Sequence, residues 1–266
     1  MLVASLLVSR VVPLMFFASV VLVAGRYLHD RYASAGRWVG RLLFGAVLFL
    51  GTAGAVPYVL RSAHVVAAES AFFAGDWDGV DRHLAANRAM GGGLSDSQGR
   101  DWGIALMNQW RFREAEEVLK STVRRAGVKV RVEPRTVFLI GVCRYYDGRL
   151  DAAEKTIASA GDFGQQALAD YFLGRIADRQ DRPKEAVLRY ESCVRENAGF
   201  YPAIYHLARI RLMAGEGDLA RIVLARYESA SGGADGDASL AALRAAIKDG
   251  GPVPPPVEFI IVQAIR

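Results

Sequence analysis

The fold of this chain can be predicted from residues 167–194, "ALADYFLGRIADRQDRPKEAVLRYESCV". This stretch contains two segments of helical periodicity, joined by a turn that includes Pro183. Gly174 lies on the first segment, and a second small residue, Ala186, lies on the other. Small residues at both places let two helices approach closely. Tyr190, a large apolar residue one turn further on, is expected to fill the gap beside the next unit. The stretch therefore predicts one helical hairpin.

The same pattern occurs five times in the chain. Five windows align without gaps: "GDWDGVDRHLAAN" from Gly75, "WRFREAEEVLKST" from Trp110, "GRLDAAEKTIASA" from Gly148, "DRPKEAVLRYESC" from Asp181 and "GEGDLARIVLARY" from Gly215. The sixth residue of each window is Val80, Ala115, Ala153, Ala186 or Ala220. The residue twelve positions before it is Ala68, Gly103, Gly141, Gly174 or Ala208. Helical segments that repeat roughly every 34 residues predict a solenoid of helix–turn–helix units.

This pattern resembles the tetratricopeptide repeat (TPR). The five units run roughly over residues 61–94, 96–129, 134–166, 167–200 and 201–234. The resemblance implies an all-α, TPR-like solenoid of about five helical hairpins within residues 61–250. The alanine-rich segment 238–250 is expected to be a capping helix, because solenoids need a terminal element that covers the last apolar face. The motif itself is a packing pattern and carries no chemistry.

The resemblance also implies a partner-binding groove on the inner surface, which first-helix residues line in the TPR family. Aromatic residues and arginines are the usual energetic anchors of protein interfaces. An alternative is that some of these residues pack between helices or onto the C-terminal tail. The groove positions carried onto this chain are Arg100, Ile104, Phe138, Tyr145, Tyr146, Tyr171, Arg175, Tyr205 and Arg209.

The first sixty residues contain two long apolar stretches. Residues 2–24 and 42–60 are each long enough to cross a bilayer as a helix at about 1.5 Å per residue. The basic segment 25–41 lies between them. We therefore predict that residues 1–60 form an N-terminal two-helix transmembrane hairpin. A cleaved signal peptide fits less well, because no positively charged segment precedes the first apolar run.

Five arginines are expected to anchor this hairpin. Arg10 interrupts the first span, and it either reaches a lipid headgroup or pairs with an acid on a partner subunit. The other four lie in the loop, and an excess of arginine favours the cytoplasmic side. The repeats would then be periplasmic in a bacterial inner membrane. The anchor set is Arg10, Arg26, Arg31, Arg37 and Arg41.

The C-terminal residues 251–266 are predicted to form a proline-rich linker and an apolar tail. "GPVPPP" (251–256) cannot be helical, because proline lacks the backbone N–H and clashes with the preceding turn. The tail "VEFIIVQAIR" (257–266) either packs back onto the repeats or docks on a partner.

The sequence shows no constellation of catalytic or metal-binding residues. The four histidines do not share a ligand spacing with cysteine or aspartate. Cys143 and Cys193 form no CxxC pair and are interpreted as small buried hydrophobes. Five of the basic residues and one acid lie in the first sixty residues, which leaves +1 of the net +5 for the rest. We therefore expect no catalytic residue, metal, cofactor, small-molecule substrate or nucleic acid.

These features predict a non-enzymatic, membrane-anchored TPR scaffold in a bacterial envelope complex. Its expected partners are the lipid bilayer and other proteins of a membrane complex. The architecture is similar to membrane-anchored TPR subunits of exopolysaccharide export machines of the Pel type, which implies a role in polysaccharide export. The alternative is an accessory subunit that binds a larger membrane complex mainly through its transmembrane helices.

Overall fold

In the computed structural model the chain is built from helical hairpins. The structure describes residues 26, 37–125, 133–231 and 238–258, with the backbone alone for 37–54, 124–125 and 229–231. The secondary structure of this part is helical. Its helices are α1 (Arg37–Ala74), α2 (Trp77–Ala89), α3 (Asp96–Asn108), α4 (Phe112–Arg125), α5 (Pro134–Tyr146), α6 (Leu150–Ser159), α7 (Gln166–Arg179), α8 (Pro183–Glu196), α9 (Tyr201–Met213), α10 (Gly217–Ser231) and α11 (Ala238–Asp249).

The helices belong to two compact units, residues 1–93 and 94–266. In the first unit α1 packs against α2, and Val80 and Leu84 of α2 are buried. The side chain of Asp76 caps α2 by accepting a hydrogen bond of 2.9 Å from the backbone N–H of Gly79. This hairpin contains the first of the five sequence windows.

The second unit contains the other four hairpins, α3/α4, α5/α6, α7/α8 and α9/α10. The second helix of each hairpin contacts the first helix of the next, so the hairpins stack in chain order. Helix α11 packs against α9 and α10, where Leu240 and Leu243 join the apolar cluster of the last hairpin. The prediction of an all-α solenoid of TPR-like hairpins is confirmed.

The close approach within each hairpin explains the spacing of small residues. A Cβ atom added to Gly174 would lie 2.7 Å from Cε1 of Tyr190. One added to Gly141 would lie 2.5 Å from Cγ1 of Ile157 and 3.2 Å from its backbone nitrogen. Both partner side chains are buried, so neither can move aside freely. The predicted role of the small residues is confirmed at these two hairpins.

This packing makes Gly174→Val a destabilising substitution. Valine adds three carbon atoms where even one would overlap the ring of Tyr190, so we expect the free energy of unfolding to fall by about 2 kcal/mol. Urea unfolding of the purified chain, followed by circular dichroism, measures the loss. The matched control is Gly217→Ala, where an added Cβ meets nothing within 4 Å. Equal urea midpoints for the two variants would contradict the close helix approach.

The predicted transmembrane hairpin is only partly within the described residues. The first span, 2–24, lies outside them, as do Arg10 and Arg31. The second span, 42–60, lies within α1. Across the part of the chain that the structure describes, no helix combines the length and apolar character needed to cross a membrane. The transmembrane hairpin therefore stays a prediction.

Candidate functional site

The turn inside each hairpin places one residue in the left-handed backbone region. This residue is the first of each sequence window, and glycine is its default because it has no Cβ to clash. Two of the five are larger: Trp110 has φ +61° and Asp181 has φ +56°. They are the non-glycine residues with positive φ among the described residues. The other three turn residues are Gly75, Gly148 and Gly215.

Trp110 is the more costly of the two exceptions, because aspartate tolerates the left-handed region and a bulky side chain does not. Its side chain is not buried in the core, since the residue is 57% exposed. Its ring meets Phe112 edge to face at 5.6 Å and Tyr146 at 6.2 Å. Phe112 and Tyr146 stack at 4.8 Å. We call these three side chains the aromatic patch.

The sequence contains the signal for this patch. The alignment of the five windows places Trp110 where three other windows have glycine. A bulky residue in the left-handed region has a strained backbone. Such strain is often found at functional sites, so it indicates a role for Trp110 in function. Of the patch residues, only Tyr146 is among the predicted groove residues.

Most of the predicted groove residues are buried. Arg100 and Tyr146 are half-buried, and Arg100 pairs with Glu133. Their role in partner binding stays a prediction, but most of them contact other parts of this chain. The buried ones are Ile104, Phe138, Tyr145, Tyr171, Arg175, Tyr205 and Arg209.

Arg175 of α7 lies at the centre of a buried polar cluster. Its Nε donates a hydrogen bond of 3.2 Å to the hydroxyl of Tyr145, and its Nη1 lies 2.7 Å from Nε2 of His206. Its Nη2 donates to the carboxylate of Glu258, which also accepts a bond of 3.1 Å from the Tyr145 hydroxyl. Arg175 is 1% exposed. We call Arg175, Tyr145 and His206 the Arg175 cluster.

The electrostatics of the cluster fix the charge of its members. Burial by itself would lower the pKa of Arg175, but the phenols of Tyr145 and Tyr171 and the Glu258 carboxylate outweigh it and raise the pKa. Burial, followed by the charges of Arg175 and Arg209, holds the pKa of His206 well below its usual value. His206 is therefore neutral at physiological pH, whereas Arg175 is charged.

The glutamate that the Arg175 cluster binds, Glu258, belongs to the C-terminal segment, residues 251–258. The hydroxyl of Tyr205 donates a bond of 2.8 Å to the carbonyl of Pro255. Val257 packs against the apolar cluster that contains Ile204 and Tyr205, and its main chain hydrogen-bonds the ring of His206. The apolar tail was predicted either to pack onto the repeats or to dock on a partner. Its first two residues, Val257 and Glu258, pack onto the repeats. Residues 259–266 lie outside the described part.

A second buried polar network links the second and third hairpins. Glu116 of α4 is 3% exposed and accepts a bond of 2.8 Å from Nε of Arg144. It also pairs with Lys120 at 3.0 Å and with Arg149. Burial by itself would raise the pKa of the Glu116 carboxyl, but the hydrogen bonds from Arg149, Arg144 and Lys120 together outweigh it and hold that pKa at about 2. The network ties α4 of the second hairpin to α5 and to the turn of the third hairpin.

The cysteines and histidines do not form a reactive group in the described part of the chain. Cys143 and Cys193 are buried, as predicted, and burial raises the pKa of both thiols. His64 and His83 meet across α1 and α2, with their Nδ1 atoms 3.0 Å apart. The sequence spacing did not indicate that pair. No group of three or more potential metal ligands occurs among the described residues.

The stacked hairpins, their left-handed turns and their glycine contacts define the fold class as a TPR-like helical solenoid. The structure is similar to PilF of Pseudomonas aeruginosa (TM-score 0.58, 14% identity), with 73% of this chain and 85% of that chain covered. It is similar to Cut9–Hcn1, described as an APC/C hetero-tetramer (TM-score 0.57, 13% identity; 85% of this chain and 45% of that chain). A Podosopora anserina kinesin light chain with nearly identical TPR-like repeats has a TM-score of 0.50 at 17% identity, over 65% of this chain and 94% of that chain.

No protein-family model matches the chain, and the search of curated proteins gives no match either. Sequence identities below one fifth in the three structures show the shared fold alone.

Proposed function

We propose that this protein is a non-enzymatic scaffold that binds other proteins through its TPR-like repeats. The single observation that carries the proposal is Trp110. Its backbone is held in a region that costs a bulky residue about 1 kcal/mol or more. The residue is 57% exposed, and its ring lies beside Phe112 and Tyr146. The core gains little from this arrangement, whereas exposed aromatic side chains are frequent anchors of protein interfaces.

The similar structures support the scaffold class by analogy. One of them, Cut9–Hcn1, is described as a hetero-tetramer, so a solenoid of this fold class occurs there in a complex of several chains. The partners proposed for the present chain are proteins.

We further propose that the chain is attached to a bacterial envelope membrane through residues 2–24 and 42–60. The support is the length and apolar character of the two stretches and the arginines of segment 25–41. The repeats would lie on the periplasmic side, and polysaccharide export is the narrower form of this proposal. The second candidate function is the accessory subunit, which the charged Arg10 within the first span favours.

Trp110→Gly separates partner binding from folding. Glycine adopts the left-handed turn without strain, so we expect the free energy of unfolding to stay unchanged or to rise by about 1 kcal/mol. Partner crosslinks, measured by crosslinking and mass spectrometry in native membranes, are expected to be lost. The matched control is Asp181→Gly, which changes the equivalent turn residue of another hairpin and removes no aromatic ring.

The same experiment distinguishes the alternatives. If Trp110→Gly keeps its crosslinks and Arg10→Leu loses them, the chain is an accessory subunit held by its spans. If the intact chain is recovered from the soluble fraction, the membrane attachment is wrong. If Trp110→Gly and Asp181→Gly lose crosslinks equally, the turn conformation matters and the aromatic patch does not.

A further inference from the structure

We propose that the Arg175 cluster is a carboxylate-binding peptide site, and that the C-terminal segment 251–258 is its built-in occupant. A partner protein supplies the competing ligand, an extended segment in which prolines precede an apolar residue and a glutamate. This inference rests on the proposed function, since it specifies which partner segment the scaffold binds and what must leave first.

The C-terminal segment has the character of a docked peptide. Residues 251–258 have neither helical nor strand structure, and four of the eight are prolines. Proline fixes φ and favours an extended conformation without internal hydrogen bonds, so little further entropy is lost on docking. Four of the residues before Glu258 are exposed: Gly251, Pro252, Pro255 and Pro256. The segment therefore lies on the solenoid surface and is not a layer of the core.

Three contacts of the segment follow one another along the chain. Tyr205 donates to the carbonyl of Pro255, Val257 packs on an apolar cluster, and Glu258 bonds to Arg175 and Tyr145. A proline carbonyl, an apolar side chain and a carboxylate are thus bound in sequence. These contacts define the pattern that a competing ligand must match.

Arg175, which belongs to the binding site, is held more rigidly than Glu258, which belongs to the bound segment. The side chain of Arg175 is 2% exposed, whereas that of Glu258 is 47% exposed. Bonds to Tyr145 and His206 orient the guanidinium and leave Nη2 for the carboxylate. A buried cation with preset geometry needs an anion, because an unpaired buried charge is costly. When the C-terminal segment dissociates, a carboxylate from another chain is the best replacement partner for the Arg175 guanidinium, because it accepts charge-assisted hydrogen bonds.

His206 adds recognition of the ligand backbone. Its neutral imidazole has one donor and one acceptor, which suits bonds to the main chain of Val257 and to Arg175. The surrounding charge favours an acidic ligand. Arg179 supplies this positive charge, since its guanidinium lies over the Tyr145 ring at 5.2 Å, whereas Arg209 is neutralised by its pair with Asp178.

The test uses the full chain in detergent and a fluorescent, C-terminally amidated peptide of sequence GPVPPPVE, the sequence of residues 251–258. The wild-type chain is expected to bind it weakly in anisotropy titrations, because the tethered segment competes at a high effective concentration. Glu258→Gln removes the charge-assisted bonds of the tethered copy, so this variant is expected to bind the peptide about tenfold more tightly. A peptide with glutamine at its last position is expected to bind neither chain.

Two further variants sharpen the result. Adding Tyr145→Phe to the Glu258→Gln chain removes one donor from the site and is expected to weaken peptide binding about fivefold. The matched control is Glu228→Gln, which breaks an exposed ion pair with Arg244 elsewhere in the unit and is expected to behave as wild type.

The proposal is overturned if Glu258→Gln binds the peptide no better than wild type, since the segment is then a permanent part of the packing. It is also overturned if light scattering shows a wild-type dimer that the peptide converts to monomers, because the occupant is then a second copy. Partner crosslinks that depend on Trp110 without any peptide binding would refute this inference alone. Peptide binding without such crosslinks would instead refute the proposed function.

Discussion

Replacing Arg175 with alanine is expected to lower the free energy of unfolding by about 3–4 kcal/mol. The guanidinium is 1% exposed and bonds to Tyr145, His206 and Glu258. Its removal leaves the hydroxyl of Tyr145 and the ring of His206 without their buried partner, and it leaves a cavity of several heavy atoms. The loss is measured by urea denaturation of the full chain in detergent.

The matched control for this prediction is Arg221→Ala. Arg221 forms an exposed ion pair with Asp218 in α10, and such pairs contribute less than about 1 kcal/mol. Arg175→Lys is the conservative variant. Lysine keeps the positive charge but lacks the several N–H donors of the planar guanidinium. The free energy of unfolding of Arg175→Lys is therefore expected to lie between those of the wild type and Arg175→Ala. A loss below about 1 kcal/mol for Arg175→Ala would show that the cluster does not hold α5, α7 and α9 together.

The hairpins could be predicted from the sequence because the contacts that form them are local. Gly174 and Ala186 are twelve residues apart, and the contact that requires them lies within one helix–turn–helix unit. Repetition at nearly constant spacing then gives the stacking order, since each unit contacts its neighbours. The left-handed turn at the start of each window follows from the same alignment, although only Gly75, Gly148 and Gly215 display it by residue type.

The function of Arg175 could not be predicted in the same way. Its position in the first helix of a unit predicts that it lines the inner groove, and that role stays a prediction. Its carboxylate partner is Glu258, which lies after a proline-rich segment. No periodicity connects those two residues. The spacing of the histidines likewise gave no indication that His64 and His83 meet across α1 and α2. Contacts between distant segments depend on the folded path of the chain, whereas repeat packing does not.

Glu116→Gln is expected to lower the free energy of unfolding by about 3 kcal/mol at neutral pH. The carboxylate is 3% exposed and balances Lys120, Arg144 and Arg149 between the second and third hairpins. Glutamine keeps the shape but removes the charge, so three cations lose their shared anion. The neighbouring Glu117→Gln is the matched control, because the Glu117 side chain is 68% exposed and forms an exposed ion pair with Lys120. That variant is expected to stay within about 0.5 kcal/mol of wild type.

The acid dependence of this difference tests the electrostatic explanation. The pKa of Glu116 is about 2 in the folded chain, below its ordinary value of 4.5. The unfolded chain therefore binds the proton first, and the stabilisation by Glu116 is complete above pH 4.5 and is lost as the pH falls toward 2. Denaturation of wild type and Glu116→Gln should differ most at neutral pH and converge in acid. A difference that stays constant from pH 7 to pH 3 would show that glutamine disturbs packing and that the three cations do not depend on the Glu116 charge.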